Sequence, residues 1–119
     1  MDKNYVRPFL KWAGGKYRLL PQLLDKFPSD ALRLIEPFLG AGAVSLNTNY
    51  PVHIVNDVNK DLINIWLNLR EQSDNFIENC EKSFTEDNNN RDKFNYLREI
   101  FNNINDDYIK SNIFIYLNN

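Results

Sequence analysis

Two glycine-containing segments hold the residues that are best suited to binding a ligand. Residues 12–16 read Trp-Ala-Gly-Gly-Lys, and residues 40–42 read Gly-Ala-Gly after an apolar run. Glycines let the backbone turn tightly and approach a ligand closely. Such a turn after a buried strand is where α/β sheets bind nucleotide-like ligands. Ser45 occupies the third position of the Gly-x-Gly-x-x-Gly pattern, so a tight turn without a ligand stays open as an alternative.

Asp57 is the second feature that points to a nucleoside ligand. It ends the apolar stretch 52–56, about twenty residues after the glycine turn. An acid at the end of the second strand can accept hydrogen bonds from ribose hydroxyls. The ordinary alternative is that Asp57 caps the amino terminus of the following helix. We favour ribose binding because of its position after the glycine turn.

The Trp-Ala-Gly-Gly-Lys segment is not a phosphate-binding loop. Leu10 stands where such a loop needs its first glycine, and Tyr17 stands where it needs Ser or Thr. Lys16 could instead pair with a carboxylate, such as that of an amino-acid-bearing cofactor, and Trp12 could pack on it. The alternative is that Trp12 fills a gap in the core and Lys16 is a solvated residue at a helix start.

The apolar spacing predicts the elements that position these residues. A helix is expected over 16–27, closed by Pro28; because Pro21 would kink a helix interior, its expected place is near a first turn instead. Strands are expected over 31–36 and 52–57, joined by a turn and short helix over 40–48, which makes one βαβ unit of a parallel sheet. Four helical patterns follow and do not extend the sheet; they are centred on 62–69, 76–80, 94–104 and 108–117.

Composition limits the classes of function. The 119 residues carry a net charge of −2, with seven basic and four acidic residues over 1–56 and seven basic and twelve acidic residues over 57–119. A free-standing DNA binder needs clustered cations, so contacts with DNA would rest on the amino-terminal basic residues and on further sequence. One cysteine and no Cys/His cluster of metal-ligand spacing predict no metal site. The absence of a signal peptide or an apolar span predicts a soluble cytoplasmic protein without membrane partners.

Three motifs in order resemble one enzyme family. Residues 9–16, Phe-Leu-Lys-Trp-Ala-Gly-Gly-Lys, are similar to the amino-terminal motif of the Dam-type (α-group) site-specific DNA adenine N6-methyltransferases. Residues 35–42, Ile-Glu-Pro-Phe-Leu-Gly-Ala-Gly, resemble their glycine motif, and 56–59, Asn-Asp-Val-Asn, resemble the acidic segment after the second strand. The resemblance implies an α/β fold: the start of a Rossmann-like methyltransferase sheet over 1–58, then the helical start of a target-recognition domain over 59–119.

The resemblance also implies the ligands and the site. Family members flip an adenine out of a GATC-like site in double-stranded DNA and transfer a methyl group from S-adenosylmethionine directly to N6. Lys11 would reach DNA near the target base. The implied cofactor-binding residues are Trp12, Lys16 and Asp57, with Phe38, Gly40 and Gly42 shaping the pocket.

One family motif does not occur in these residues. The catalytic Asp-Pro-Pro-Tyr motif is missing, since no two prolines are adjacent, and no catalytic residue is predicted. We therefore expect the amino-terminal portion of such an enzyme, inactive alone, with a complementing C-terminal fragment as a possible partner. The alternative is a non-catalytic module, left by truncation, that binds S-adenosylmethionine or DNA. An NAD-dependent oxidoreductase would rest only on Gly40, Gly42 and Asp57 and would ignore residues 12–16.

Overall fold

The computed structural model describes residues 4–118, which form two compact units. The first unit ends at Val58 and the second begins at Asn59. Each unit is described by itself below. Among the described residues, no helix has both the length and the apolar character that crossing a bilayer requires.

The first helical segment of the first unit accommodates Pro21 without a kink. A 3₁₀ turn, Tyr17–Leu19, leads into helix α1, Leu20–Lys26. Pro21 therefore lies in the first turn of α1, where the backbone N–H that proline lacks has no helical partner anyway. The predicted helix over 16–27 is thus a 3₁₀ turn followed by a short α-helix, and the expected place of Pro21 near a first turn is confirmed.

A two-stranded parallel sheet holds the first unit together. Strand β1, Arg33–Glu36, pairs with β2, Val52–Val55, in the register Arg33↔Val52 to Glu36↔Val55. Helix α2, Ala43–Leu46, lies between them in sequence, so the predicted strand–helix–strand order is present with a helix of a single turn.

The two faces of this sheet differ in exposure. Glu36 is buried on one face, together with the partly buried Leu34. On the opposite face Ile35 and Ile54 are register partners and are 64% and 50% exposed. An apolar surface of the sheet is therefore uncovered among the described residues.

The second unit consists of three helices. Helix α3 is Lys60–Glu81, α4 is Arg91–Asn103, and α5 is Asp107–Leu117. The sequence predicts two separate helices in the region of α3; the structure has one run interrupted at Gln72, whose φ of −140° and ψ of 39° are not helical. The polar loop before α4 contains a 3₁₀ turn, Glu86–Asn88.

Side-chain caps and an apolar core define this helical unit. The side chains of Asn59, Asn90 and Asp106 accept backbone N–H groups at the starts of the three helices. Helix α5 packs against both α3 and α4. The fully or almost fully buried apolar side chains are those of Leu62, Ile65, Phe76, Cys80, Ile113 and Phe114.

Candidate cofactor-binding site

The structure brings the two glycine-containing segments together. The Trp12 indole lies against the glycine turn, because a Cβ built on Gly40 would be 3.6 Å from Trp12 Cδ1. Gly40 has a φ of +58°, a left-handed conformation that side-chain-bearing residues rarely adopt. Trp12 is partly buried in this arrangement. The indole and the glycine turn therefore lie side by side, and the role of Trp12 in binding a cofactor stays a prediction.

Lys16 connects the first segment to the end of β1. Its ammonium lies 3.2 Å from Glu36 Oε2 and also donates a hydrogen bond to the carbonyl oxygen of Phe38. The side chain is 33% exposed, so Lys16 at this helix start is ion-paired and partly buried rather than fully solvated. Lys16 does pair with a carboxylate, but in this structure the carboxylate belongs to the protein.

Glu36 and Ser45 are site residues that the sequence analysis missed. Glu36 is 6% exposed, and its Oε1 accepts a hydrogen bond of 2.8 Å from Ser45 Oγ. A signal was present, because an acid at an inward position of an apolar strand needs a cation or donors nearby. The hydroxyl of Ser45 also gives a physical reason for a serine at the third position of the glycine pattern.

Asp57 closes the site from the second strand. Its Oδ2 accepts a 2.9 Å hydrogen bond from the backbone N–H of Gly40, and Leu39 N–H donates to the carbonyl of Asn56 at 2.9 Å. The turn after β1 is therefore tied to the residues that follow β2. The alternative role of Asp57 as a helix cap is wrong, because the side chain of Asn59 caps α3.

The remaining predicted residues occupy different positions in the site. Gly42 has a φ of +88° and precedes the first residue of α2, so the turn requires a glycine there. Phe38 contributes its carbonyl oxygen to Lys16, while the residue as a whole is 75% exposed. Lys11 is exposed. The roles of the Phe38 ring in shaping a pocket and of Lys11 in contacting DNA stay predictions.

The second unit contains a separate concavity. It has a volume of about 830 Å³ and is formed around the loop before α4, with Phe84, Arg91, Phe94 and Tyr116 among its lining residues. None of the predicted site residues lines it. Two of the polar side chains around it form hydrogen bonds with backbone carbonyls of the loop: Tyr116 Oη donates to the carbonyl of Asn88, and Asn88 Nδ2 donates to that of Ser83.

The first unit thus gathers, at the carboxyl ends of two parallel strands, an ammonium, two carboxylates, an indole and two glycines with positive φ. Ligands of open α/β sheets bind at such strand ends. A model of the family described as D12 class N6 adenine-specific DNA methyltransferase matches residues 12–119. The chain belongs to this family. Because the family transfers methyl groups, its members require a methyl donor.

Three proteins named DNA adenine methylase are similar to this family member. The one from Serratia marcescens is 44% identical over 118 residues, covering 99% of this chain and 43% of the relative. The one from Haemophilus influenzae is 45% identical over 113 residues, covering 94% and 40%. The one from Escherichia coli K12 is 38% identical over 118 residues, covering 99% and 41%. The chain spans about two fifths of the length of these curated relatives.

Proposed function

We propose that the first unit is the S-adenosylmethionine half-site of a DNA adenine N6-methyltransferase with a Rossmann-like sheet. The observation that carries this proposal is the convergence of Trp12, Lys16, Gly40 and Asp57 at the carboxyl ends of β1 and β2. The second unit would then begin the target-recognition domain.

The chemistry of these groups fits the cofactor. The Lys16 ammonium suits the carboxylate of an amino acid, and the Asp57 carboxylate suits ribose hydroxyls. The Trp12 indole offers an apolar surface beside the turn, and the left-handed Gly40 presents no side chain that would block a ligand's approach to the backbone. When bound, S-adenosylmethionine supplies an electrophilic methyl group.

The family description names adenine in DNA as the acceptor, and the substrate proposed for the complete enzyme is adenine in a GATC-like site of double-stranded DNA. Lys11 is the proposed DNA contact in the first unit, because it is exposed and precedes Trp12 by one residue. The Asp-Pro-Pro-Tyr motif does not occur in these 119 residues. We therefore expect cofactor binding from this chain and methyl transfer only with additional residues.

Calorimetric titration with S-adenosylhomocysteine, the demethylated product, tests the cofactor site. Asp57→Asn keeps an oxygen for the Gly40 N–H but removes the charge that suits ribose hydroxyls, so we expect about tenfold weaker binding or more. Lys16→Gln should weaken binding similarly. The matched controls are Asp30→Asn and Lys26→Gln, which neutralise exposed charges of the same signs. Equal effects of site and control variants, or no heat with the unmodified chain, would contradict the proposal.

A complementing polypeptide is the proposed partner for activity. The register partners Ile35 and Ile54 are largely exposed, and a two-stranded sheet leaves backbone edges unpaired. We propose that the missing part of a D12-class enzyme covers this surface. The test adds to this chain the region of the Serratia relative that lies outside the match and measures methyl transfer to GATC duplexes.

The complementation assay separates the enzyme from its alternative. If the chain is part of a methyltransferase, we expect the mixture of the two polypeptides to methylate DNA and neither polypeptide to do so alone. A non-catalytic module that binds S-adenosylmethionine or DNA predicts ligand binding with no methylation in any mixture. Replacing Ile54 by Asp should abolish complementation while leaving the affinity for S-adenosylhomocysteine unchanged, because Ile54 faces away from Glu36 in the strand register.

A further inference from the structure

Glu36 is a buried carboxylate whose two oxygens have different protein donors. Oε1 accepts from Ser45 Oγ at 2.8 Å, and Oε2 receives the Lys16 ammonium at 3.2 Å. The side chain is 7% exposed. A buried carboxylate is tolerated only when such partners satisfy it. The side-chain conformation of Glu36 is therefore determined by both donors.

The same contacts restrain Lys16. An unrestrained lysine side chain loses rotamer entropy when it is ordered. Here the ammonium is already ordered between Glu36 and the carbonyl of Phe38, and one third of the side chain remains exposed. An ammonium has three N–H donors, and these two acceptors leave one donor for a further acceptor. Because this ammonium is already ordered, less side-chain entropy is lost when a ligand binds to it.

We propose that Glu36 and Ser45 are positioning residues that hold the Lys16 ammonium ready for the carboxylate of the methyl donor's amino acid. This inference rests on the proposed function and adds two residues to it. Ser45 orients Glu36 from helix α2, and Glu36 orients Lys16 from the end of β1. The network therefore selects ligands that carry an amino-acid carboxylate over ligands that carry adenosine alone.

The test compares two ligands by calorimetry with the complete 119-residue chain. S-adenosylhomocysteine carries the amino acid, whereas 5′-methylthioadenosine has the adenosine and the thioether without it. The quantity measured is the ratio of the two dissociation constants. Lys16→Gln defines the loss of this selectivity when the ammonium is removed.

Two variants perturb the network without removing a charge. Ser45→Ala removes the hydroxyl that orients Glu36, and Glu36→Asp keeps the charge but withdraws the carboxylate by one methylene. Each should reduce the ratio by about 3–10-fold, the effect of one weakened hydrogen bond, and leave methylthioadenosine binding unchanged. Thr48→Val is the matched control, because the Thr48 hydroxyl donates to the carbonyl of Val44 at 3.0 Å and not to Glu36.

Each outcome decides between distinct conclusions. A reduced ratio in the two network variants and an unchanged ratio in Thr48→Val support the inference. If a network variant weakens the binding of both ligands by the same factor, its role is merely structural and the inference is overturned. The inference is also overturned if neither affinity changes. If Glu36→Asp does not fold, Ser45→Ala decides, because it removes a single oxygen atom. If the unmodified chain binds neither ligand, the proposed cofactor site fails, and this inference fails with it.

Discussion

The left-handed backbone of Gly40 leads to a quantitative prediction. Gly40→Ala should lower the free energy of unfolding of the first unit by about 1 kcal/mol. A residue with a Cβ pays roughly 1–2 kcal/mol in the left-handed conformation, and this is partly offset because alanine has fewer unfolded conformations than glycine. The φ of Gly40 is +58°. The new methyl group adds no clash, since its distance of 3.6 Å from Trp12 Cδ1 is an ordinary contact.

Gly15→Ala is the matched control for this substitution. Gly15 does not have a positive φ, and its Cβ would meet only the Trp12 carbonyl oxygen, at 3.4 Å. We expect this variant to remain within about 0.5 kcal/mol of the unmodified chain, the usual range for a substitution without a strained backbone. The difference between the two variants therefore isolates the backbone conformation at the glycine turn.

Urea denaturation followed by tryptophan fluorescence measures the effect. A Trp66→Phe background leaves Trp12, which contacts the glycine turn, as the single tryptophan and hence as a probe of the first unit. The denaturation midpoints are compared at two protein concentrations, because the exposed Ile35 and Ile54 favour association. Equal stability of Gly40→Ala and Gly15→Ala at both concentrations would show that the left-handed backbone of Gly40 has no such cost.

Three further predictions concern the second unit. Burial raises the pKa of Cys80 from 9.0 to about 11. Because the thiolate is the form that reacts, we expect its alkylation by iodoacetamide at pH 8 to be about a hundredfold slower in the folded chain than in urea. Equal rates would contradict this prediction. Phe76→Ala should cost about 3–5 kcal/mol by urea denaturation followed by circular dichroism, whereas Ile77→Ala should cost far less, because their exposures are 0% and 47%. Asn59→Ala should cost about 1 kcal/mol in the same assay through loss of the cap on Leu62 N–H, and Asn59→Asp should restore it.

Local sequence patterns determined the order and type of the elements. The apolar runs before Gly40 and before Asp57 predicted two strands, and the structure contains both in a parallel pair. Periodicity near 3.6 predicted the helices after Asp57, because that spacing depends only on one buried face of each helix. The place of Pro21 near a first turn was also predicted, because an interior proline would kink the helix, and the structure confirms it.

The family could also be predicted from three motifs in order. Each motif is a short contiguous segment, so it can be recognised in the sequence without the tertiary structure. The contacts that make those motifs one site depend on the tertiary structure. Lys16 and Glu36 are separated by 20 residues, and Gly40 and Asp57 by 17. Their pairing requires the register of β1 with β2, which no local spacing specifies. Sequence alone therefore predicted which groups would bind a cofactor, whereas the fold decided that Glu36 pairs with Lys16 and Ser45 and that Asp57 accepts a hydrogen bond from the glycine turn.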